Sequence, residues 1–264
     1  MKNNNLISDY VKLPIYDISQ KEKSKLLLNE LNNLTQHHYK NCEKYSSFVK
    51  KFSNLKLIRS IQDIPFLSVR AFKEFDLLSV KKDQIFKTMT SSGTSGQAVS
   101  KIYLDQETAS LQSTVLTRLM RDVTGPKRLP MLIIDNPDII KNRQSFSARG
   151  AGIIGFSLYG KDVTFALNSD NSVNFEEVNS FFARHKGKQV FLFGFTFMVW
   201  KHFLNNKMMS KVNVKDSESI LLHGGGWKKL ANEEVSTKLF NDRAKQMLGN
   251  TRVVNYYGLV EQTG

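Results

Sequence analysis

Three short stretches carry residue types from which phosphate and nucleotide chemistry is built. Thr90-Ser91-Ser92-Gly93-Thr94-Ser95-Gly96 sets hydroxyls around two glycines. The glycines leave backbone N–H groups approachable and the hydroxyls add rotatable donors, as a loop folding over phosphates requires. It is not a Walker A loop, because no Gly-Lys-Ser/Thr follows and the next element reads as a strand. The same composition also describes a plain Ser/Gly hairpin loop. Two further stretches, His223-Gly224-Gly225-Gly226-Trp227-Lys228-Lys229 and Asn255-Tyr256-Tyr257-Gly258-Leu259-Val260-Glu261, each close an apolar run. Three successive glycines let a flat ligand lie against backbone, Tyr257 offers a ring to stack on a base, and Glu261 offers a hard oxygen to Mg²⁺. Taken singly, the glycines also read as a tight turn, Tyr257 as a core ring and Glu261 as a solvated charge. Taken with the hydroxyl loop, they point to one nucleotide site.

Such loops need strands to position them. From Ser19 to Phe52, Leu26, Leu27, Leu31, Leu34, Tyr39, Tyr45, Phe48 and Val49 recur mostly at three- and four-residue spacings. That predicts an amphipathic helical lead-in, broken once. An extended piece over 64–72 and a turn of helix over 73–78 follow. Strands are expected at 86–90 and 98–104, flanking the hydroxyl loop, and a helix from Gln106 to about Arg121, capped by Asp105 and stopped by Thr124-Gly125-Pro126. Beyond it, strands at 131–135, 162–167, 189–193, 220–223 and 252–257 alternate with helices at 175–185, 196–204 and 232–248, while 150–160 is Gly-punctuated. This alternation predicts an α/β fold with a parallel or mixed sheet and flanking helices. The expected division is a mainly helical lead-in, 1–85, and an α/β nucleotide- and acyl-binding core, 86–264. In open α/β sheets ligands bind at the carboxyl ends of strands, so the three loops are expected at one crevice.

The 264 residues, 41% of them apolar, suffice for a sizeable core. The longest apolar stretch, Val190 to Trp200, has 11 residues, short of the roughly 20 of a membrane span. The N-terminus lacks the pattern of a secretory signal, which makes cytoplasm the expected location. The single cysteine, Cys42, excludes an internal disulfide and a multi-cysteine zinc site. A net charge of +14 raises nucleic acid as a partner, but the charge is spread evenly along the chain. Lys outnumbers Arg 28 to 10, whereas bidentate phosphate contacts favour Arg; no nucleic-acid partner is expected.

The order of a Ser/Thr-Ser-Gly-Thr-Ser-Gly loop, a Gly-Gly loop and Tyr-Gly-x-x-Glu resembles adenylate-forming enzymes. The wider wording is similar to the acyl-protein synthetases of the bacterial luminescence type, through HHYKNCEKYSSFVKKF, IPFLSVRAFK, TSSGTSGQAVSKIYLD, RLPMLIID, SARGAGIIGFSLYG, FLFGFTFMVW, LLHGGGWKK and NYYGLVEQTG. The resemblance implies the large N-terminal domain of that fold, and activation of a long-chain fatty acid by ATP with Mg²⁺ to acyl-AMP, followed by acyl transfer to a thiol and delivery to an acyl reductase. It implies that Ser91, Ser92, Gly93, Thr94, Ser95 and Gly96 cradle the phosphates, with Thr94 the leading hydroxyl. Gly224, Gly225 and Gly226 would line the adenine, Tyr257 and Gly258 would complete its site, and Glu261 would hold Mg²⁺ and act in catalysis. Phe193, Phe195, Thr196 and Trp200 would line the acyl pocket, although an aromatic-rich strand-helix junction also reads as core.

Two departures stand out: Val260 occupies a position usually held by Thr or Ser, and Val99 one usually held by Lys, with Lys101 two residues on. Relatives continue into a small C-terminal domain with a catalytic Lys and, in the luminescence branch, an acyl-accepting Cys. The chain is therefore expected to be a fragment. The alternatives are a phenylacetate-type acyl or aryl coenzyme A ligase, and a non-catalytic paralogue that binds an acyl reductase.

Overall fold

Ser19 starts the first helix, α1 (Gln20–Asn41), through a reciprocal capping box with Glu22. At Cys42 the chain turns extended, with its N–H still donating to the His38 carbonyl, and α2 (Glu43–Phe52) begins one residue later. This is the single break expected in the lead-in. The computed structural model describes residues 17–52, 58–91, 98–141, 148–212, 216–227 and 234–261, with Leu13, Leu55 and Val214. The chain divides into two compact units, Met1–Arg118 with Gly258–Gly264, and Leu119–Tyr257.

In the first unit, a four-residue helix α3 (Ala71–Glu74) precedes an antiparallel pair, β1 (Lys87–Thr90) and β2 (Lys101–Leu104). The turn of helix thus falls slightly before the expected 73–78, because Phe75 is already extended. Helix α4 (Gln106–Thr124) starts where Asp105 accepts the Thr108 N–H at 2.7 Å. It ends at Gly125, whose φ of 80° suits glycine.

The second unit is a five-stranded parallel sheet of β3 (Leu129–Ile133), β4 (Gly160–Phe165), β5 (Val190–Phe195), β6 (Ser219–Gly224) and β7 (Thr251–Tyr256), in the order β4-β3-β5-β6-β7. The helices between strands are α5 (Ala148–Ser157), α6 (Phe175–Arg184), α7 (Thr196–Met198, widening into π turns over Val199–Leu204) and α8 (Thr237–Leu248). A parallel sheet covered on both faces needs apolar residues on both sides of each strand. Accordingly every residue of β5 and β6 is buried, and Met131, Phe191, Leu192, Phe193 and Leu221 have no exposure.

Two elements differ from expectation. The Gly-punctuated stretch 150–160 lies mostly in α5, and α8 begins at Thr237, where Ser236 Oγ accepts the Leu239 N–H at 3.2 Å, not at Asn232. Glu234 to Ser236 are non-helical, and residues 232–233 lie outside the described residues. Among the described residues, no helix is long and apolar enough to cross a membrane.

The strand order carries a functional consequence. From β3 the chain steps to one side, to β4, and from β5 it steps to the other, to β6 and β7. The carboxyl ends of β3 and β5 therefore flank the topological switch point, where doubly wound sheets open a crevice for ligands.

Candidate active site

The carboxyl edge of the parallel sheet gathers the glycine run, a tyrosine pair and a set of buried polar groups. Gly224 ends β6 beside Tyr256, its register partner on β7, and a Cβ at Gly224 would overlap the Tyr256 ring. Gly225 has φ of 80°, and its Cβ would press on Phe195 at 3.1 Å. A Cβ at Gly226 would meet nothing within 4 Å. The first two glycines thus answer to the protein's own packing, and only the third leaves its surface open.

The two adjacent tyrosines have opposite surroundings. Tyr256 packs with Phe156 of α5 at 5.0 Å and stacks on Phe193 of β5 at 6.3 Å, and burial pushes its phenol up to about 12. Tyr257 is 84% exposed, an uncovered ring just past the end of β7. The four expected acyl-lining residues are all buried: Phe193 with no exposure at all, and Phe195, Thr196 and Trp200 nearly so. Trp200 lies between Trp227 at 6.3 Å and Phe240 at 6.1 Å.

At the end of β6, His223 Nδ1 and Thr196 Oγ1 are 3.0 Å apart, and the imidazole stacks on Phe240 at 4.2 Å. Its Nε2 is buried without a hydrogen-bond partner, and desolvation lowers the pKa to about 4. His223 is therefore a neutral imidazole at physiological pH.

The residues that sequence reasoning missed sit at the switch point. Asp135, two residues past β3, has no exposure, and Arg149 Nε in the first turn of α5 is 3.2 Å from its Oδ2. Burial raises the Asp135 carboxyl, while Arg149 and the Asn136 N–H, donating to Oδ1 at 2.8 Å, oppose the shift. The available signal was an acid directly closing an otherwise apolar strand, Leu132-Ile133-Ile134-Asp135.

In the other unit, Ser91 closes the base of the hydroxyl loop: its N–H donates to the Ser100 carbonyl at 3.1 Å, and its Oγ accepts the Ser100 N–H at 2.9 Å. Ser92, Gly93, Thr94, Ser95 and Gly96 lie outside the described residues. Lys101 is a half-exposed strand residue 3.8 Å from Asp76, which also accepts the Tyr103 hydroxyl at 2.6 Å. Gly258 has open space where a Cβ would lie, Glu261 is half-buried, and Cys42 is buried.

The carboxyl edge of the second unit thus carries an exposed tyrosine, an open glycine, buried aromatic rings, a buried neutral histidine and a partly exposed arginine. That edge suits a flat, anionic ligand. The family model described as acyl-protein synthetase, LuxE, matches residues 2–264. A long-chain-fatty-acid--luciferin-component ligase of Photorhabdus luminescens is 35% identical over 81 residues, 31% of this chain and 66% of that protein. A ligase of the same name from Vibrio harveyi is 31% identical over 78 residues, 30% of this chain and 21% of that protein. The matched stretches cover less than two thirds of either relative. With its family model matched from residue 2 to residue 264, the chain belongs to the acyl-protein synthetase LuxE family.

Proposed function

We propose that this protein activates a long-chain fatty acid with ATP in the cytoplasm, forming acyl-AMP and pyrophosphate, and that the acyl group then passes to a protein thiol and on to an acyl reductase. The observation that carries this reading is the family match over nearly the whole chain, supported by relatives named as long-chain-fatty-acid ligases. Residues 86–264 form the nucleotide- and acyl-binding core in this reading.

A fatty acid carboxylate oxygen attacks the α-phosphorus of ATP, a P–O bond to it forms, and the bond to the pyrophosphate oxygen breaks. Two anions must meet, so catalysis is chiefly positioning and charge neutralisation. Tyr257 stacks on the adenine while the backbone of Gly224 to Gly226 lines its edge; the 84% exposed ring and the open side of Gly226 fit such a ligand. The hydroxyls and N–H groups of Ser91 to Gly96, Thr94 foremost, hold phosphate oxygens. Glu261 is the carboxylate for Mg²⁺, which supplies charge neutralisation at the phosphates. Phe195, Thr196 and Trp200 border the acyl chain, and Phe193 backs them from the core.

The test is incubation of the protein with MgATP and labelled myristate. The reading expects pyrophosphate release that depends on myristate and labelled myristoyl-AMP that depends on ATP. With coenzyme A added, label appearing on it instead of on protein would assign the phenylacetate-type activity, and absence of ATP binding would overturn the reading.

A further inference from the structure

Arg149 is held in a way that helix stability does not ask for. It occupies the first turn of the ten-residue helix α5, where the helix dipole opposes a cation. What retains it is Asp135, a carboxylate with no exposure. Burying a carboxylate costs several kcal/mol unless its partner is well aligned, yet this pair is not. Although Nε and Oδ2 are 3.2 Å apart, both atoms are buried without a hydrogen-bond partner. The remaining guanidinium contacts are soft: Nη1 is 3.6 Å from the Met198 sulfur, and Cζ lies 5.8 Å from the centre of the Phe197 ring. Among the described residues, Asp135 is the single anion paired with Arg149. A guanidinium has five N–H donors in a planar fork, so most of this fork has no strong acceptor among the described residues. The side chain keeps 25% exposure, so it is reachable from solvent.

Asp135 follows β3, Phe197 and Met198 follow β5, and these two strand ends flank the switch point. We infer that Arg149, braced by Asp135, holds an oxyanion of the substrates at the β3/β5 switch point, either a nucleotide phosphate or the fatty acid carboxylate. This rests on the proposed function and adds to it a substrate-binding residue, Arg149, and a positioning residue, Asp135. The weakly paired fork is the form suited to bidentate oxyanion recognition, and Asp135 keeps it aimed while leaving part of its charge for the ligand.

The experiment titrates wild-type protein, Arg149→Gln and Arg149→Lys with MgATP and, separately, with myristate, following heat by calorimetry and folding by circular dichroism. The inference expects Arg149→Gln, titrated at a temperature where circular dichroism shows it folded, to weaken at least one ligand by about tenfold to a hundredfold, with Arg149→Lys between it and wild type. Loss for MgATP identifies the oxyanion as phosphate, and loss for myristate identifies it as carboxylate. Unchanged affinity of Arg149→Gln for both ligands overturns the inference and leaves the proposed function standing. Wild-type protein that binds neither ligand overturns both. Should Arg149→Gln fail to fold, wild-type protein decides: p-hydroxyphenylglyoxal modification of Arg149, read by mass spectrometry, is expected to slow with MgATP or myristate present. An Arg149 that is inert to the reagent, or equally reactive with and without both ligands, contradicts the inference.

Discussion

Two arginines at opposite edges of the same sheet meet opposite helix ends. At the amino edge, Arg252 of β7 donates Nη1 to the carbonyls of Asp122 and Val123, 3.4 Å each, at the C-terminal end of α4. There the helix dipole favours a cation. Around it lies a polar cavity of about 280 Å³ that includes Gly125, Glu218, Ser219 and Asn250. On β4, the opposite edge strand of the sheet, Asp162 lies 2.6 Å from His185 and 3.6 Å from Arg184. At the carboxyl edge, Arg149 stands in the first turn of α5 against the dipole, with a buried and poorly aligned carboxylate as its partner. The amino edge sets its cation against the helix end that favours it, although the Ser219 and Thr251 hydroxyls are buried there without a hydrogen-bond partner. The carboxyl edge carries costs that a ligand would offset, and it is the edge with the open glycine and the exposed tyrosine.

Predictions follow this contrast from large effects to small. Phe193, unexposed beneath the carboxyl edge and packed on Phe156 at 4.6 Å, should cost about 3–5 kcal/mol on truncation to Ala, read by urea denaturation. Next is the pH response of His223. The unfolded chain takes up the imidazole proton near pH 6.5 and the folded chain only near pH 4, so below 6.5 the unfolded state binds more protons. Its contribution is complete above pH 6.5 and falls by about 3 kcal/mol as pH drops to about 4. His223→Gln should flatten that part of a stability-versus-pH curve, and an unaltered curve would show that His223 is not buried neutral. Gly224→Ala forces a methyl into the Tyr256 ring and should cost about 1–3 kcal/mol by the same denaturation assay. Arg252→Ala should cost only about 0.3–1 kcal/mol, the scale of a helix-terminus interaction, and should leave ligand affinity unchanged. A larger loss there would erase the contrast between the edges.

Much of the scaffold was legible because its strands are short apolar runs bounded by polar turns. The all-buried β5 and β6 read directly from QVFLF and ILLH. Helix α5 was not legible, since Gly150, Gly152 and Gly155 resemble breaks. In the fold Gly152 admits the Phe195 ring, which a Cβ would meet at 3.0 Å. The start of α8 was misplaced because a polar run fits a helix as well as a loop, and only the Ser236 cap marks the boundary. At the site, the glycine run was visible, but composition could not show that Gly224 accommodates Tyr256. Nor could it show that Tyr256 is half-buried against aromatic rings while Tyr257 is exposed. Asp135 and Arg149 are 14 residues apart with no motif joining them, so their pairing became visible only once β3 and α5 were placed.

The central claim, that the carboxyl edge binds the nucleotide, is tested most directly by titrating MgATP into wild-type protein and Tyr257→Ala, with AMP as competitor. Because Tyr257 is 84% exposed, its loss should leave the melting temperature unchanged. The account predicts that AMP competes with MgATP on the wild type, and that Tyr257→Ala weakens MgATP by about 1–3 kcal/mol, roughly 5- to 150-fold, through loss of the stacked base. Equal affinity of the two proteins for MgATP would contradict it.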